Sequence, residues 1–158
     1  MSTSIYKEVF KKMKVETKYQ GEMEIAKEDI VIFASGLPGF QEDNEFVLLP
    51  FLKELPYFIL QSVKTPNLAF VVVDPYPFFP DYQYQLSDAN IHSLKINAPQ
   101  DVATFVILTL KEPFALSTAN LQGPLVINVK EQLGKQLILQ GPAYQTKHPL
   151  FPQEGSAC

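Results

Sequence analysis

The side chains able to do chemistry are few and scattered. They are two histidines (His92 and His148), one cysteine (Cys158) and an acidic cluster, "QEDNE" at residues 41–45. A nucleophile needs a base within hydrogen-bond reach, and the base needs a group that orients it. His148 stands in "KHPLF", where Pro149 biases it toward an extended backbone, and the sequence shows no partner beside it. His92 falls in a short helical stretch and reads as a surface residue. Cys158, at the very end of the chain, reads as an inert tail thiol. Glu42, Asp43 and Glu45 lack the D-x-D-x-D-G alternation of a calcium loop and read as a solvated turn. HExxH, GxSxG, Walker A and GxGxxG patterns are absent. A single cysteine excludes a disulfide framework and a multi-cysteine metal site. No catalytic residue, metal ligand or cofactor-binding residue is assigned, and the expectation is a protein that is not an enzyme and uses no cofactor. Carboxylates distant in sequence can still meet in the fold. The alternative is therefore a small-molecule-binding barrel, or an enzyme, that uses a barrel mouth near His148.

Charge narrows the partners. The chain has 158 residues, 46% of them apolar, enough for one domain with a core. All 13 basic side chains are lysine. Arginine, the usual bidentate reader of phosphate and guanine, is missing. Residues 1–14 carry net +3, residues 15–101 net −8 and residues 102–158 net +1, which sum to the total of −4. Such a balance repels nucleic acid and attracts basic partners, so direct DNA or RNA binding is not expected. No apolar run approaches membrane-spanning length and the start lacks the apolar stretch of a secretory signal. A cytoplasmic protein with no membrane partner is expected.

The elements that must position any site are mostly strands. "MKVETKY" (13–19) and "EMEI" (22–25) alternate with period two around "QGE", a hairpin signature. "DIVIF" (29–33), "EFVLLP" (45–50), "YFILQS" (57–62), "LAFVVVD" (68–74) and "DVATFVILTL" (101–110) follow, separated by turns rich in proline and glycine. "GPLVINVK" (123–130) and "KQLILQ" (135–140) give a last hairpin. One helix is expected near residues 87–94, with Ser87 as N-cap. About nine short strands predict a mainly β, single-domain, antiparallel barrel-like fold. Its expected core comprises Val15, Ile25, Val31, Phe33, Val47, Leu49, Ile59, Val71, Val73, Phe105, Ile107, Val126, Ile127 and Ile138. Residues 1–12 stand apart. Ile5, Tyr6, Val9 and Phe10 share one helical face among lysines, either a basic amphipathic helix or a flexible N-terminal extension. Residues 13–151 form the expected domain and 152–158 a tail.

One segment resists this reading. "DPYPFFPDY" (74–82) puts prolines at 75, 77 and 80 directly after an apolar strand. Proline lacks the backbone N–H that a sheet ladder needs, so the strand must stop. Two uses are open for its aromatics. Phe78 and Phe79 can plug an open barrel end, while Tyr76 and Tyr82 face outward. Alternatively the four form a rigid edge for a protein partner. Tyr76, Phe78, Phe79 and Tyr82, with Glu42, Asp43 and Glu45, are the candidate partner-binding residues.

In order along the chain, "MKVETKYQGEMEI" (13–25), "FASGLPGF" (33–40), "LQSV" (60–63), "LAFVVVDPYPFFPDY" (68–82), "NLQGPLVIN" (120–128) and "HPLF" (148–151) resemble the flagellar assembly factor FliW family. The resemblance implies a bacterial, cytoplasmic, mostly antiparallel β-barrel without catalysis. It implies two partners, flagellin and the RNA-binding translational repressor CsrA. Sequestering CsrA would relieve repression of flagellin translation, and accumulating flagellin would take this protein back. It also implies a monomer when free. An acidic protein docked beside the RNA-binding surface of CsrA would repel RNA, with Glu22, Glu24, Glu42, Asp43 and Glu45 as candidate carboxylates. A chaperone dedicated to flagellin, with no regulatory role, is a further reading.

Overall fold

The computed structural model describes residues 11–51 and 56–151. The expectations for residues 1–10 and for the tail from 152, Cys158 included, lie outside the described residues. The first hairpin forms as its alternation requires. Strands β1 (Lys12–Thr17) and β2 (Gly21–Ala26) pair antiparallel, with Met13 opposite Ile25 and Val15 opposite Met23. Gly21 takes φ 68° to make the turn, a left-handed conformation open to glycine. The Thr17 hydroxyl donates to the Gly21 carbonyl at 2.6 Å and accepts from the Gln20 N–H at 2.9 Å.

The apolar runs then build a closed barrel. Strands β3 (Ile30–Ile32), β4 (Glu45–Pro50), β5 (Tyr57–Ser62) and β6 (Ala69–Val73) form an antiparallel meander, and β7 (Val102–Thr109) pairs with the end of β6. Strands β9 (Leu125–Asn128) and β10 (Leu133–Gln136) make the last hairpin. β9 returns to β7 and β10 meets β3, the latter in parallel, so seven strands close into a ring without an open edge at the seam. Two short strands, β8 (Thr118–Ala119) and β11 (His148–Pro149), extend the sheet beyond the far end of β7. The helix, α1 (Asp88–Ser93), falls where expected, and the Ser87 hydroxyl accepts from the Asn90 N–H at 3.1 Å.

Alternation along each strand divides the apolar side chains between two faces. Val31, Phe33, Phe46, Leu60, Val72, Phe105, Leu125 and Ile127 meet in one cluster, the barrel interior. Gly134 of β10 completes it by being small, since a Cβ there would lie 2.6 Å from the Phe33 ring. On the outside, Val47, Leu49, Ile59, Val71, Val73 and Val106 are covered by Val15 and Ile25 of the first hairpin and by Tyr82, Leu121 and Leu150. A third cluster, Leu94, Val126 and Leu137, lies under α1. Each fully buried Val, Leu or Phe contributes roughly 1.5–3 kcal/mol.

Twelve of the 14 expected core residues are buried. Ile107 is half-buried and Ile138 is 58% exposed. Strand β10 spans 133–136 rather than the expected 135–140, and beyond its end Leu137 is buried while Ile138 is exposed. Phe46, Leu60, Val72 and Val106, fully buried, were not among the expected core, because β4 to β7 are packed on both faces.

Candidate functional site

The proline–aromatic segment follows β6 and is built from consecutive turns. An Asp74 carboxylate oxygen accepts from the Tyr76 N–H at 3.0 Å. The Pro75 carbonyl accepts from the N–H groups of Phe78 (3.0 Å) and Phe79 (2.8 Å), and the Phe79 carbonyl from the Tyr82 N–H (3.0 Å). These local bonds replace the ladder bonds that proline cannot make. Phe78 is half-buried, its ring centroid 6.0 Å from that of Tyr57 and 5.8 Å from that of Phe151. Phe79 is half-buried against His148 at 6.3 Å. Both pack on the outer core, so they face inward as the plug reading requires, but they cover the outside of the sheet rather than the barrel lumen. Tyr76 faces outward, 41% exposed.

Tyr82 does not face outward. It is 4% exposed, donates its hydroxyl to the Leu121 carbonyl at 2.7 Å, and stands edge-on to Tyr144 at 4.7 Å. Burial, with smaller contributions from Tyr84, Tyr76 and Tyr144, pushes its phenol well above the usual tyrosine range. The Phe79 to Tyr82 turn carries the chain back against the barrel, which reverses the direction of that side chain. An exposed role for Tyr82 is therefore corrected.

The acidic turn is also split. Glu42 and Glu45 are exposed. Asp43 is half-buried and accepts from the Ser62 hydroxyl (2.7 Å) and the Thr65 hydroxyl (2.9 Å), tying the turn to the loop after β5. Glu22 and Glu24 sit on the outer face of the hairpin, each 3.7 Å from a lysine, Lys14 and Lys12 respectively. Glu16 is directly opposite Glu22 in the ladder, a like-charge pair that works against the hairpin.

His92 is exposed on α1. His148 is half-buried on β11, where its Nε2 accepts from the Gln145 N–H at 2.7 Å and burial holds its pKa below the ordinary value. It packs between the rings of Phe79 and Tyr144, away from the two best-formed cavities among the described residues. An open groove of about 1040 Å³ lies where β6 parts from the first half of β7, walled on its far side by residues 83–99. Its walls include Phe58, Asp74, Tyr76, Tyr84, Thr104 and Phe105. Among the described residues no group of three or more His, Cys, Asp or Glu side chains is placed to hold a metal.

Two buried amides had no signal in the sequence reading. Gln61 accepts from the Lys18 N–H at 2.9 Å and donates to the Ser62 and Pro66 carbonyls, which fastens the first hairpin to the barrel. Asn128 donates to the Leu94 (2.7 Å) and Lys95 (3.1 Å) carbonyls and accepts from the Lys130 and Glu131 N–H groups, which fastens α1 to the last hairpin. Only their position at the end of an apolar strand hinted at either.

These features define a small closed β-barrel with its candidate surface in the segments wrapped around it. The sequence profile of a family described as FliW protein matches residues 14–150. The chain is 53% identical over 142 residues to the flagellar assembly factor FliW of Geobacillus sp. (strain WCH70), covering 90% of this chain and 98% of that one. It is 46% identical over 138 residues to the flagellar assembly factor FliW of Bacillus subtilis (strain 168), covering 87% and 96%. A crystal structure of the flagellar assembly factor FliW superposes with a TM-score of 0.86 at 51% identity, over 90% of this chain and 99% of that one. The chain belongs to the FliW family.

Proposed function

We propose that this flagellar assembly factor acts by binding, not catalysis: it binds flagellin, and it binds and antagonises the translational regulator CsrA. The observation that carries the reading is the family match across nearly the whole barrel at 51% identity. The binding unit is residues 13–151, working as a monomer in the cytoplasm, where both partners are made. The acidic balance of residues 15–101 supports electrostatic antagonism. Glu42 and Glu45 are free to take part, whereas Asp43 is engaged within the fold. Of the four aromatics, Tyr76 offers the largest exposed surface to a partner.

Two measurements test this. In a pull-down from native lysate, CsrA and flagellin together support the proposal. Flagellin alone leaves a dedicated chaperone, and recovery of neither removes both readings. In a gel-shift with flagellin leader RNA, the protein alone should form no complex, and its addition should dissolve the CsrA–RNA complex. A stable binary complex with RNA would overturn the electrostatic argument.

A further inference from the structure

The first half of β7 has an open edge, and the register shows why. Val73 lies opposite Val106 and Val72 opposite Ile107. Continuing that antiparallel register, Thr104 would face Pro75 and Val102 would face Pro77. The two positions needed to extend β6 along β7 are both proline. On its other edge β7 pairs with β9, and the Asp101 carbonyl accepts from the Val129 N–H at 2.9 Å. Backbone groups alternate sides along an antiparallel strand. Residues 101, 103 and 105 therefore point to β9, and 102, 104 and 106 point the other way. Val106 meets β6 there. The Val102 N–H is held by the Pro99 carbonyl in the preceding turn. The Val102 carbonyl and both backbone groups of Thr104 face the groove.

The groove is shaped along this edge. Residues 102–105 form one wall, residues 83–86 and 96–99 another, and Asp74 and Tyr76 the end where the chain peels away. The Tyr84 hydroxyl lies 2.6 Å from the Thr104 hydroxyl and ties the walls together beside the open backbone. Among the described residues, Asp74 is the one charged side chain that lines the groove, and no lysine does. Phe58, Ala103, Phe105, Leu86, Ile91 and Ile96 make the rest largely apolar.

We infer that this groove is a docking site for an extended peptide segment of a partner protein, which adds as a strand to the edge of β7 at Val102 and Thr104. The occupant has apolar side chains at alternate positions and a lysine or arginine opposite Asp74, and carries no acid. Strand addition supplies partners for the edge groups of β7, and charge complementarity with Asp74 sets the polarity of the ligand. The prolines at 75 and 77 keep the chain from closing its own edge. The edge is short, about four residues or ~13 Å at the usual strand rise, so the docked segment is short too.

The test uses the full chain and a phage-displayed library of random heptapeptides. Selected peptides should show alternating apolar residues with one Lys or Arg, and their binding should slow hydrogen exchange at the Thr104 amide. N-methylation at the peptide's central ladder position should weaken binding by tenfold or more, whereas the neighbouring position should tolerate it. Asp74→Asn keeps the oxygen that accepts from Tyr76, and should weaken the basic peptides by roughly two- to five-fold, less so at high salt. Enrichment of no peptide, peptides that leave Thr104 exchange unchanged, or binding indifferent to N-methylation would each overturn the inference. So would a groove that takes small apolar probes but no peptide. The pull-down and gel-shift above stand apart from this outcome, since they do not depend on which surface is used.

Discussion

The Tyr82 hydroxyl donates to the Leu121 carbonyl at 2.7 Å, and both residues are buried. The bond joins the end of the proline–aromatic segment to the strand-poor stretch before β9. A carbonyl left without its donor in such a place keeps its desolvation penalty. Tyr82→Phe should therefore destabilise the protein by about 1–3 kcal/mol, read by urea denaturation. Tyr82→Ala also removes the ring that packs on Tyr144 and should cost about 3–5 kcal/mol. A Tyr82→Phe variant as stable as the parent would mean that this bond adds nothing to the fold.

Gly134 is defined by what it does not carry. An added Cβ would lie 2.6 to 2.9 Å from three atoms of the Phe33 ring, which is fully buried. A fully buried ring in a close-packed interior gives way only at a cost, so Gly134→Ala should destabilise by about 1–3 kcal/mol through overpacking. Phe33→Leu in the same chain should recover part of that loss, because the smaller side chain leaves room. Equal stability of Gly134→Ala and the parent, in thermal melts, would show that the barrel interior is looser than the contacts imply.

The strands were legible because their signals are local. Period-two alternation in β1 and β2, and the apolar runs of β4 to β7 bounded by proline and glycine, locate the elements without any tertiary information. The helix was legible through Ser87. What was not legible depends on pairing or on irregular backbone. Tyr76 and Tyr82 are separated by six positions with no period, so nothing local says that one faces water and the other faces Leu121. Asp43 and Glu42 are neighbours in one acidic turn, and only the loop after β5, far along the chain, decides that Asp43 turns inward. The open edge of β7 needs the register of β6 against β7 before Pro75 and Pro77 can be seen opposite Thr104 and Val102.

The acidic turn separates stability from binding. Asp43→Ala removes the acceptor for the Ser62 and Thr65 hydroxyls, and Ser62 is fully buried. It should destabilise the protein by about 1–3 kcal/mol. Glu42→Gln and Glu45→Gln touch no such bond and should stay within about 0.5 kcal/mol of the parent. If the turn meets CsrA, those two variants should lower affinity and weaken its salt dependence while leaving the melting temperature alone. Titration calorimetry at two salt concentrations separates the cases; a double variant with unaltered CsrA affinity would move the contact elsewhere.

His148 should make stability depend on pH in a direction set by its surroundings. Burial holds its pKa below the ordinary 6.5, and its Nε2 can accept from the Gln145 N–H only while that nitrogen is unprotonated. Folding thus favours the neutral ring. Between the folded and unfolded pKa values the unfolded chain binds more protons, so stability rises with pH across that window. The contribution is fully present above about 6.5, and is lost as the pH falls below it toward the lower folded value. Thermal melts from pH 8 to pH 5 should show the parent losing stability on the acid side. In His148→Asn, which has no titrating group at this position, that part of the slope should disappear even if the variant starts from a lower melting temperature. Parallel curves for the two proteins across the window would mean that His148 is as easily protonated in the fold as in the unfolded chain, and that its bond to Gln145 does not hold the β11 turn.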